Sequence, residues 1–279
     1  MKYQHSFHAG NFADVHKHVS LLALLGVLQR KDKGLLYFET HAGRGLYDLG
    51  GADSQAGAEA RAGIARLRAA HSDTAELKAL LTASERACGA GAQLYAGSPL
   101  LAAHSLRPQD RGLCCEILPP ECRALERALR DFPRMRCLCS DGFAALSAHL
   151  PPIERRALVL IDPPYEDTGA DLARALEAIA TILARLANAV IALWYPIKDA
   201  RDLAPWLLRV AAQLSAPTLN AQLWVHQMDS RVALNGSGLL LVNPPYEFDT
   251  RMQLWLPELG AALGGEPGGT AINWIKHGH

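Results

Sequence analysis

The chain has no net charge: 28 Lys and Arg balance 28 Asp and Glu over 279 residues. Strong, sequence-blind attraction to nucleic acid is therefore not expected, because that attraction rests on uncompensated positive charge. A nucleic-acid substrate would have to be met by local patches or by shape. The chain also lacks any Cys-x-x-Cys pair. Its six cysteines stand at Cys88, Cys114, Cys115, Cys122, Cys137 and Cys139, most of them in expected strands. They read as small buried hydrophobes in a reducing cytoplasm rather than as a structural zinc site. No His-Glu-x-x-His accompanies the histidines near the N-terminus, His5, His8, His16 and His18, whose spacing matches no familiar zinc pattern. No metal is expected from them. Long apolar runs are missing too: Val19 to Leu28 is too short to span a bilayer, and the polar opening does not read as an export signal. A cytoplasmic protein without a membrane partner is the expectation.

What is present is a core: 49% of the residues are hydrophobic, enough for one extended α/β domain or two smaller ones. Its plainest element is Ala157 to Ile161, an apolar run stopped by Asp162-Pro163-Pro164-Tyr165. Such a run, ended by residues that cannot continue a ladder, predicts a buried strand with Asp162 at its carboxyl end. In open α/β sheets that end faces the ligand. The two prolines leave carbonyl oxygens that accept but remove N–H groups that donate. With an anionic acceptor and an aromatic ring beside them, the loop suits a planar group bearing an exocyclic amine, such as adenine or cytosine. The bland alternative is a strand followed by a rigid turn. A second copy, Asn243-Pro244-Pro245-Tyr246, follows the apolar run Leu239 to Val242, and either loop fits amine chemistry.

In chain order, a His-dense polar segment from Tyr3 to Lys17 runs into an amphipathic helix ending near Gln29. Residues 1–30 thus form an arm and helix expected to bind a ligand. Leu35 to Glu39 predicts the first strand, and Gly43 and Gly45 after it permit close backbone approach to a nucleotide-like group. The next strand, Gly112 to Ile117, carries Glu116. In a dinucleotide-binding unit the acidic residue follows the glycine loop by about 20 residues, so an insertion of roughly 50 is implied. Residues 50–96 are Ala-rich with helical spacing, including a helix over Thr74 to Cys88, and are expected to form a small inserted subdomain or an enlarged packing surface. Ser98 is placed to cap the following helix. Pro119 to Asp131 reads as a helix and Arg136 to Ser140 as a strand ending in Asp141-Gly142. Helices over Asp171 to Ala187 and Trp206 to Leu214, and strands over Ala189 to Trp194, Gln222 to Met228 and Gly238 to Val242, complete the pattern. About seven strands, mostly linked by helices and finished by a hairpin, predict a doubly wound sheet with one antiparallel strand.

That layout resembles the class I S-adenosylmethionine-dependent methyltransferases, Rossmann-like α/β enzymes whose last strand runs opposite to the others. The resemblance puts Asn243 on the wrong side of the sheet and makes Asp162 the catalytic choice. More specifically, the opening segment from His5 to His18 is similar to the RlmJ family, as are Thr40-His41-Ala42-Gly43-Arg44-Gly45-Leu46-Tyr47, Tyr95 to Leu100, Leu160 to Glu166 and Ala192 to Pro196. Members of that family are bacterial 23S ribosomal RNA adenine-N6 methyltransferases, and the similarity covers nearly the whole chain. Phe12 and His16 depart from the family pattern, where His and Leu are usual.

The resemblance implies one methyltransferase domain over residues 1–279 and S-adenosyl-L-methionine as cofactor. It implies cofactor contacts at His18, His41, Ser98, Glu116, Asp141 and Gly142, with Lys17 beside them and Gly43 in the first loop. Asp162 becomes the catalytic acceptor, assisted by the Pro163 carbonyl; Tyr165 is expected to stack on the target base, and Tyr3 to approach the RNA. The substrate implied is 23S ribosomal RNA, protein-free or in an early assembly form. Arg44, Arg155, Arg156 and the inserted helices are the expected RNA-contacting groups. Three other readings remain: a DNA adenine methyltransferase, which should carry a larger target-recognition domain; a nicotinamide oxidoreductase, which leaves Asp162 to Tyr165 unexplained; and a noncatalytic RNA-binding protein, which the balanced charge disfavours.

Overall fold

The computed structural model describes residues 8–50, 55–89, 93–227, 229–230, 234–264 and 266–278. The apolar runs form a single large sheet from β1 (Leu36–Glu39), β4 (Arg111–Cys115), β5 (Met135–Leu138), β6 (Ala157–Ile161), β7 (Val190–Ile197), β8 (Thr218–Trp224), β9 (Gly236–Val242) and β10 (Gly269–Lys276). Their spatial order is β10-β8-β9-β7-β6-β1-β4-β5, and a separate antiparallel pair joins β2 (Leu46–Asp48) to β3 (Leu94–Ala96). Neighbours from β7 to β5 are parallel, whereas β9 runs against both β7 and β8, and β10 runs against β8. The sheet thus has eight strands rather than about seven, and two of them are reversed rather than one. The strand missing from the sequence reading is β10, whose residues are mostly half-buried at the sheet edge. An edge strand shows no continuous apolar run.

Both faces of the sheet are covered, which is why all five residues of β6 are buried. Leu158 and Leu160 point into one core with α1 (Phe12–Leu28), α5 (Ser98–Ser105) and α10 (Phe248–Leu263). Ala157, Val159 and Ile161 point into the other, against α7 (Gly142–His149), α8 (Thr168–Arg185) and α9 (Ala200–Gln213). This alternation is the two-residue period of a strand. Truncating Leu160 to Ala would leave a void between two layers, at about 2–5 kcal/mol.

The first helix begins where Asn11 accepts hydrogen bonds from the Ala13 and Asp14 N–H groups, each at 3.0 Å. Between β2 and β3 lie α2 (Gln55–Ala62), α3 (Ile64–Ala69) and α4 (Ala75–Cys88). Ile64, Leu67, Leu77 and Leu80 from these helices enter the same core as Val15 and Val19 of α1. Packing is close at Gly63, where a side chain would strike the backbone of Gly10 and Asn11.

The cysteines depart from the sequence reading in part. Cys114 and Cys115 are buried thiols, but Cys122, on α6 (Pro119–Ala128), is joined to Cys139 by a disulfide. Cys139 is exposed because it follows β5, the free edge of the sheet.

Candidate active site

The chain proceeds from β1 outward through β4 to β5, then returns to β6 and β7 on the other side of β1. This reversal opens a crevice at the carboxyl ends of β1 and β6, where an open α/β sheet binds its ligand. Asp162, Thr40 with His41, Glu116 and Asp141 follow β6, β1, β4 and β5 in turn. Four adjacent parallel strands thus deliver their polar residues to one edge of the sheet. The second Pro-Pro-Tyr loop lies at the other edge. Asn243 follows reversed β9, and its side-chain N–H groups donate to the Ala187 and Ala189 carbonyls just before β7, at 2.8 and 2.9 Å. Tyr246 is 88% exposed there.

At the centre of the ligand edge is a buried ion-pair chain. Lys17 Nζ lies 2.8 Å from Asp14 Oδ1 and 2.5 Å from Asp162 Oδ2, with the Lys17 and Asp162 side chains only 5% and 14% exposed. Burial alone would lower the Lys17 pKa, but the two flanking carboxylates outweigh it and hold the ammonium well above its ordinary value. Asp14 also accepts the Gly10 N–H at 2.9 Å, which ties the start of α1 to the same chain.

Behind Asp162 sits Glu39, wholly buried at the end of β1. It accepts hydrogen bonds from Tyr37 Oη at 2.7 Å and Ser98 Oγ at 2.5 Å. Burial raises its carboxyl to about 7, against the effect of those donors. His41 shares a 2.8 Å hydrogen bond with Thr40 Oγ1 and meets the Phe143 ring edge-on. Burial lowers its pKa to about 4, so its imidazole is neutral near pH 7. On β4's end, Glu116 Oε2 accepts the Gly43 N–H at 2.9 Å and Oε1 accepts the Leu118 N–H at 2.8 Å. Gly43 adopts φ +62°, and a side chain there would collide with the Tyr47 hydroxyl, so the close approach of this loop requires glycine. Glu116 is 8% exposed and its pKa is raised by burial, while Ile117 beside it is 59% exposed. Asp141 caps α7 by accepting from the Phe143 N–H at 2.8 Å, and the backbone of Gly142 packs against Thr40.

Several expected residues sit differently. His18 is buried and shares a 2.7 Å hydrogen bond with Tyr95 Oη, while Ser98 lies in the first turn of α5, after Gly97 at the cap, with its hydroxyl on Glu39. Tyr165 has φ +51°, is 6% exposed, packs edge-on against Trp194 and donates its hydroxyl to the Trp194 carbonyl. The positive φ turns the ring inward, so Pro164, rather than Tyr165, is the exposed member of the loop. Tyr3 and His5 lie outside the described residues. His8 pairs with Glu59 and His16 with Ser237, so the described N-terminal histidines have separate partners. Arg155 and Arg156 precede β6 and therefore lie at the end opposite Asp162, with Arg156 donating to the Leu28 and Lys33 carbonyls. Arg44 is engaged by Glu121 through two hydrogen bonds. Asp14, Glu39 and Phe143 were not singled out from sequence. Only the polar strand end of Glu39 gave a local signal.

A Rossmann-like sheet with reversed strands at one edge, acidic groups on neighbouring strand ends and an Asp-Pro-Pro-Tyr loop at the switch point defines a class I methyltransferase fold. A family model described as "RsmJ: Ribosomal RNA large subunit methyltransferase D, RlmJ" matches residues 32–276. The protein called ribosomal RNA large subunit methyltransferase J in Haemophilus influenzae is 36% identical over 278 residues, covering 99% of both chains. That of the same name in Escherichia coli is 36% identical over 279 residues, again covering 99% of both. A solved structure from Legionella pneumophila superimposes with a TM-score of 0.87 at 30% identity, over 96% of this chain and 98% of that one. The chain belongs to this family of ribosomal RNA methyltransferases. Among the described residues, no helix is long and apolar enough to cross a membrane.

Proposed function

We propose that the protein is a cytoplasmic enzyme that uses S-adenosyl-L-methionine to methylate the exocyclic N6 of an adenine in 23S ribosomal RNA. The observation that carries this reading is the Asp162 carboxylate, held at the ligand edge by Lys17 and followed by two prolines. The whole chain, residues 1–279, acts as one methyltransferase domain, with 50–96 as its helical insertion and 1–30 as an arm that carries Lys17 and Tyr3 to the site.

The residues fit the cofactor. A ribose diol needs a nearby acceptor, and an adenine ring needs an apolar surface. Glu116 next to exposed Ile117 and Leu118 offers both. Asp141, the Gly142 N–H and the Phe143 ring would meet the adenine edge and face; Gly43, His41, Lys17, His18 and Ser98 would shape the floor. When bound, the cofactor supplies an electrophilic methyl group on a sulfonium sulfur.

Adenine N6 is a weak nucleophile because its lone pair is delocalised into the ring. Asp162 and the Pro163 carbonyl accept its two N–H bonds, draw the nitrogen towards tetrahedral geometry and localise the lone pair for attack. Lys17 occupies Asp162 Oδ2 and fixes the direction in which Oδ1 is presented. The carboxylate stabilises positive charge as it develops on N6 and takes up the proton that N6 sheds once the methyl group is bound, directly or through water. Holding the amine in line with the methyl group removes much of the entropic barrier, so rigidity in the loop matters as much as charge. The base must leave its stack to reach this edge. Tyr3 and Tyr165 are the aromatic candidates to receive it, Tyr165 by turning its ring outward.

Labelled S-adenosylmethionine offered with protein-free, unmodified 23S ribosomal RNA, and with duplex DNA in parallel, tests the reading. Label recovered as N6-methyladenosine from RNA alone is expected. Label in DNA overturns the substrate, and label in another nucleoside overturns the assignment of N6. Cofactor binding without transfer to either nucleic acid overturns the activity on these substrates.

A further inference from the structure

At the free edge of the sheet, away from the Asp162 crevice, α6 packs over β5. Cys122 and Glu126 are four residues apart on α6 and share one face of that helix. Cys137 and Cys139 are two apart along β5 and its extension, and project to one side. Their four ligand atoms, three sulfurs and a carboxylate oxygen, all lie within 4.8 Å of one another, and Cys122 Sγ is 3.4 Å from Cys137 Sγ. Sulfur ligands at the usual zinc distance of about 2.3 Å stand about 3.8 Å apart around a tetrahedron. Cys122 and Cys137 already stand near that spacing, and opening the Cys122–Cys139 bond lets those two sulfurs part to it by side-chain rotation.

We propose that, with its thiols reduced, this cluster binds one zinc ion through Cys122, Cys137, Cys139 and Glu126. A set of three thiolates and one carboxylate selects zinc over magnesium or calcium, which prefer oxygen ligands. The disulfide between Cys122 and Cys139 is the oxidised form of the same cluster. A dithiol reductant converts that bond to two thiols and is itself oxidised to a disulfide; zinc then displaces the three thiol protons. A bound cation supplies the charge that stabilises three thiolates brought this close together. A surface cavity of about 330 Å³, lined by Glu126 and Cys137 together with Arg130 and Arg136, opens beside the cluster. The site joins the helix that follows Glu116 to the strand that leads into Asp141, so the ion would clamp two strand ends of the crevice. This departs from the sequence expectation of no metal, which rested on motifs with local spacing.

The test uses the full chain, reduced with a phosphine under anaerobic conditions and titrated with zinc against a chromophoric chelator. One zinc per chain is expected, with affinity lowered at least about 100-fold by Cys137→Ser or Cys139→Ser and unchanged by Cys88→Ser. On the wild-type chain, zinc should slow alkylation of Cys122, Cys137 and Cys139 but not of Cys88, as read by mass spectrometry. This readout does not depend on any variant folding. Failure of the reduced chain to hold zinc, wild-type affinity in the two serine variants, or protection of other cysteines instead would overturn the proposal.

Discussion

Lys17 and Asp162 are 145 positions apart in the chain, yet their side chains meet at 2.5 Å. The pair joins the first helix to the loop after β6 and so couples the opening segment to the reacting edge of the sheet. Lys17 has a second carboxylate, Asp14, at 2.8 Å. The two ends of this chain should therefore separate on mutation. Asp162→Ala should lower methyl transfer at least about 10²–10³-fold and leave cofactor binding within a few fold, because the lost group faces the base. Lys17→Met should act on stability as well, since Asp14 and Asp162 both lose the ammonium held between them; a cost of about 3–5 kcal/mol is expected. Single-turnover kinetics and chemical denaturation read the two effects apart.

Glu116 should control cofactor affinity rather than the chemical step. Its oxygens already accept the Gly43 and Leu118 N–H groups, so the carboxylate is held in place to receive two hydroxyls. Glu116→Ala should weaken S-adenosylhomocysteine binding about tenfold or more, with Glu116→Gln less affected because one oxygen acceptor survives. Calorimetric titration measures this directly. An unchanged affinity in Glu116→Ala would move the ribose elsewhere.

The parts of this site that sequence made legible are those whose signal is local. Ala157 to Ile161 stood out because a strand covered on both faces is apolar throughout, and Asp162 because two prolines end it. The glycine loop and the acidic end of β4 were legible for the same reason. The edge strand β10 was not, since half-buried residues leave no continuous run. The inward turn of Tyr165 depends on one backbone dihedral that an L-residue rarely adopts, and nothing in Asp-Pro-Pro-Tyr announces it. Lys17 could be named beside the cofactor, but its pairing with Asp162 is a tertiary contact. The thiol cluster was hidden because its ligands come from a helix at i, i+4 and a strand at i, i+2.

The duplicate loop provides a control for the site. Asn243 has φ +51°, and its amide bridges the Ala187 and Ala189 carbonyls at the far end of the sheet. Asn243→Ala removes both hydrogen bonds and places a less tolerant residue at positive φ, so a loss of about 1–3 kcal/mol is expected. Methyl transfer under conditions where the variant stays folded should match wild type. A dead but well-folded Asn243→Ala, beside an active Asp162→Ala, would exchange the roles of the two loops.

Glu39 gives the protein a pH dependence of defined sign. Its carboxyl is raised from 4.5 to about 7 by burial, so in that window the folded chain holds a proton that the unfolded chain releases. The contribution is fully present below about pH 4.5 and is lost as pH rises through about 7, a span worth about 3 kcal/mol. His16 and His41 pull the other way: burial lowers them to about 3 and about 4, so they cost stability as pH falls below 6.5. The wild-type curve alone therefore mixes two slopes. Comparison with Glu39→Gln isolates one of them, because the amide fills the same space without titrating. Wild type should lose stability relative to Glu39→Gln between about pH 4.5 and about pH 8 in chemical denaturation. A difference that stays constant across that range would mean that Glu39 is ionised in the folded protein throughout, with Lys17 or the Ser98 and Tyr37 hydroxyls overcoming its burial.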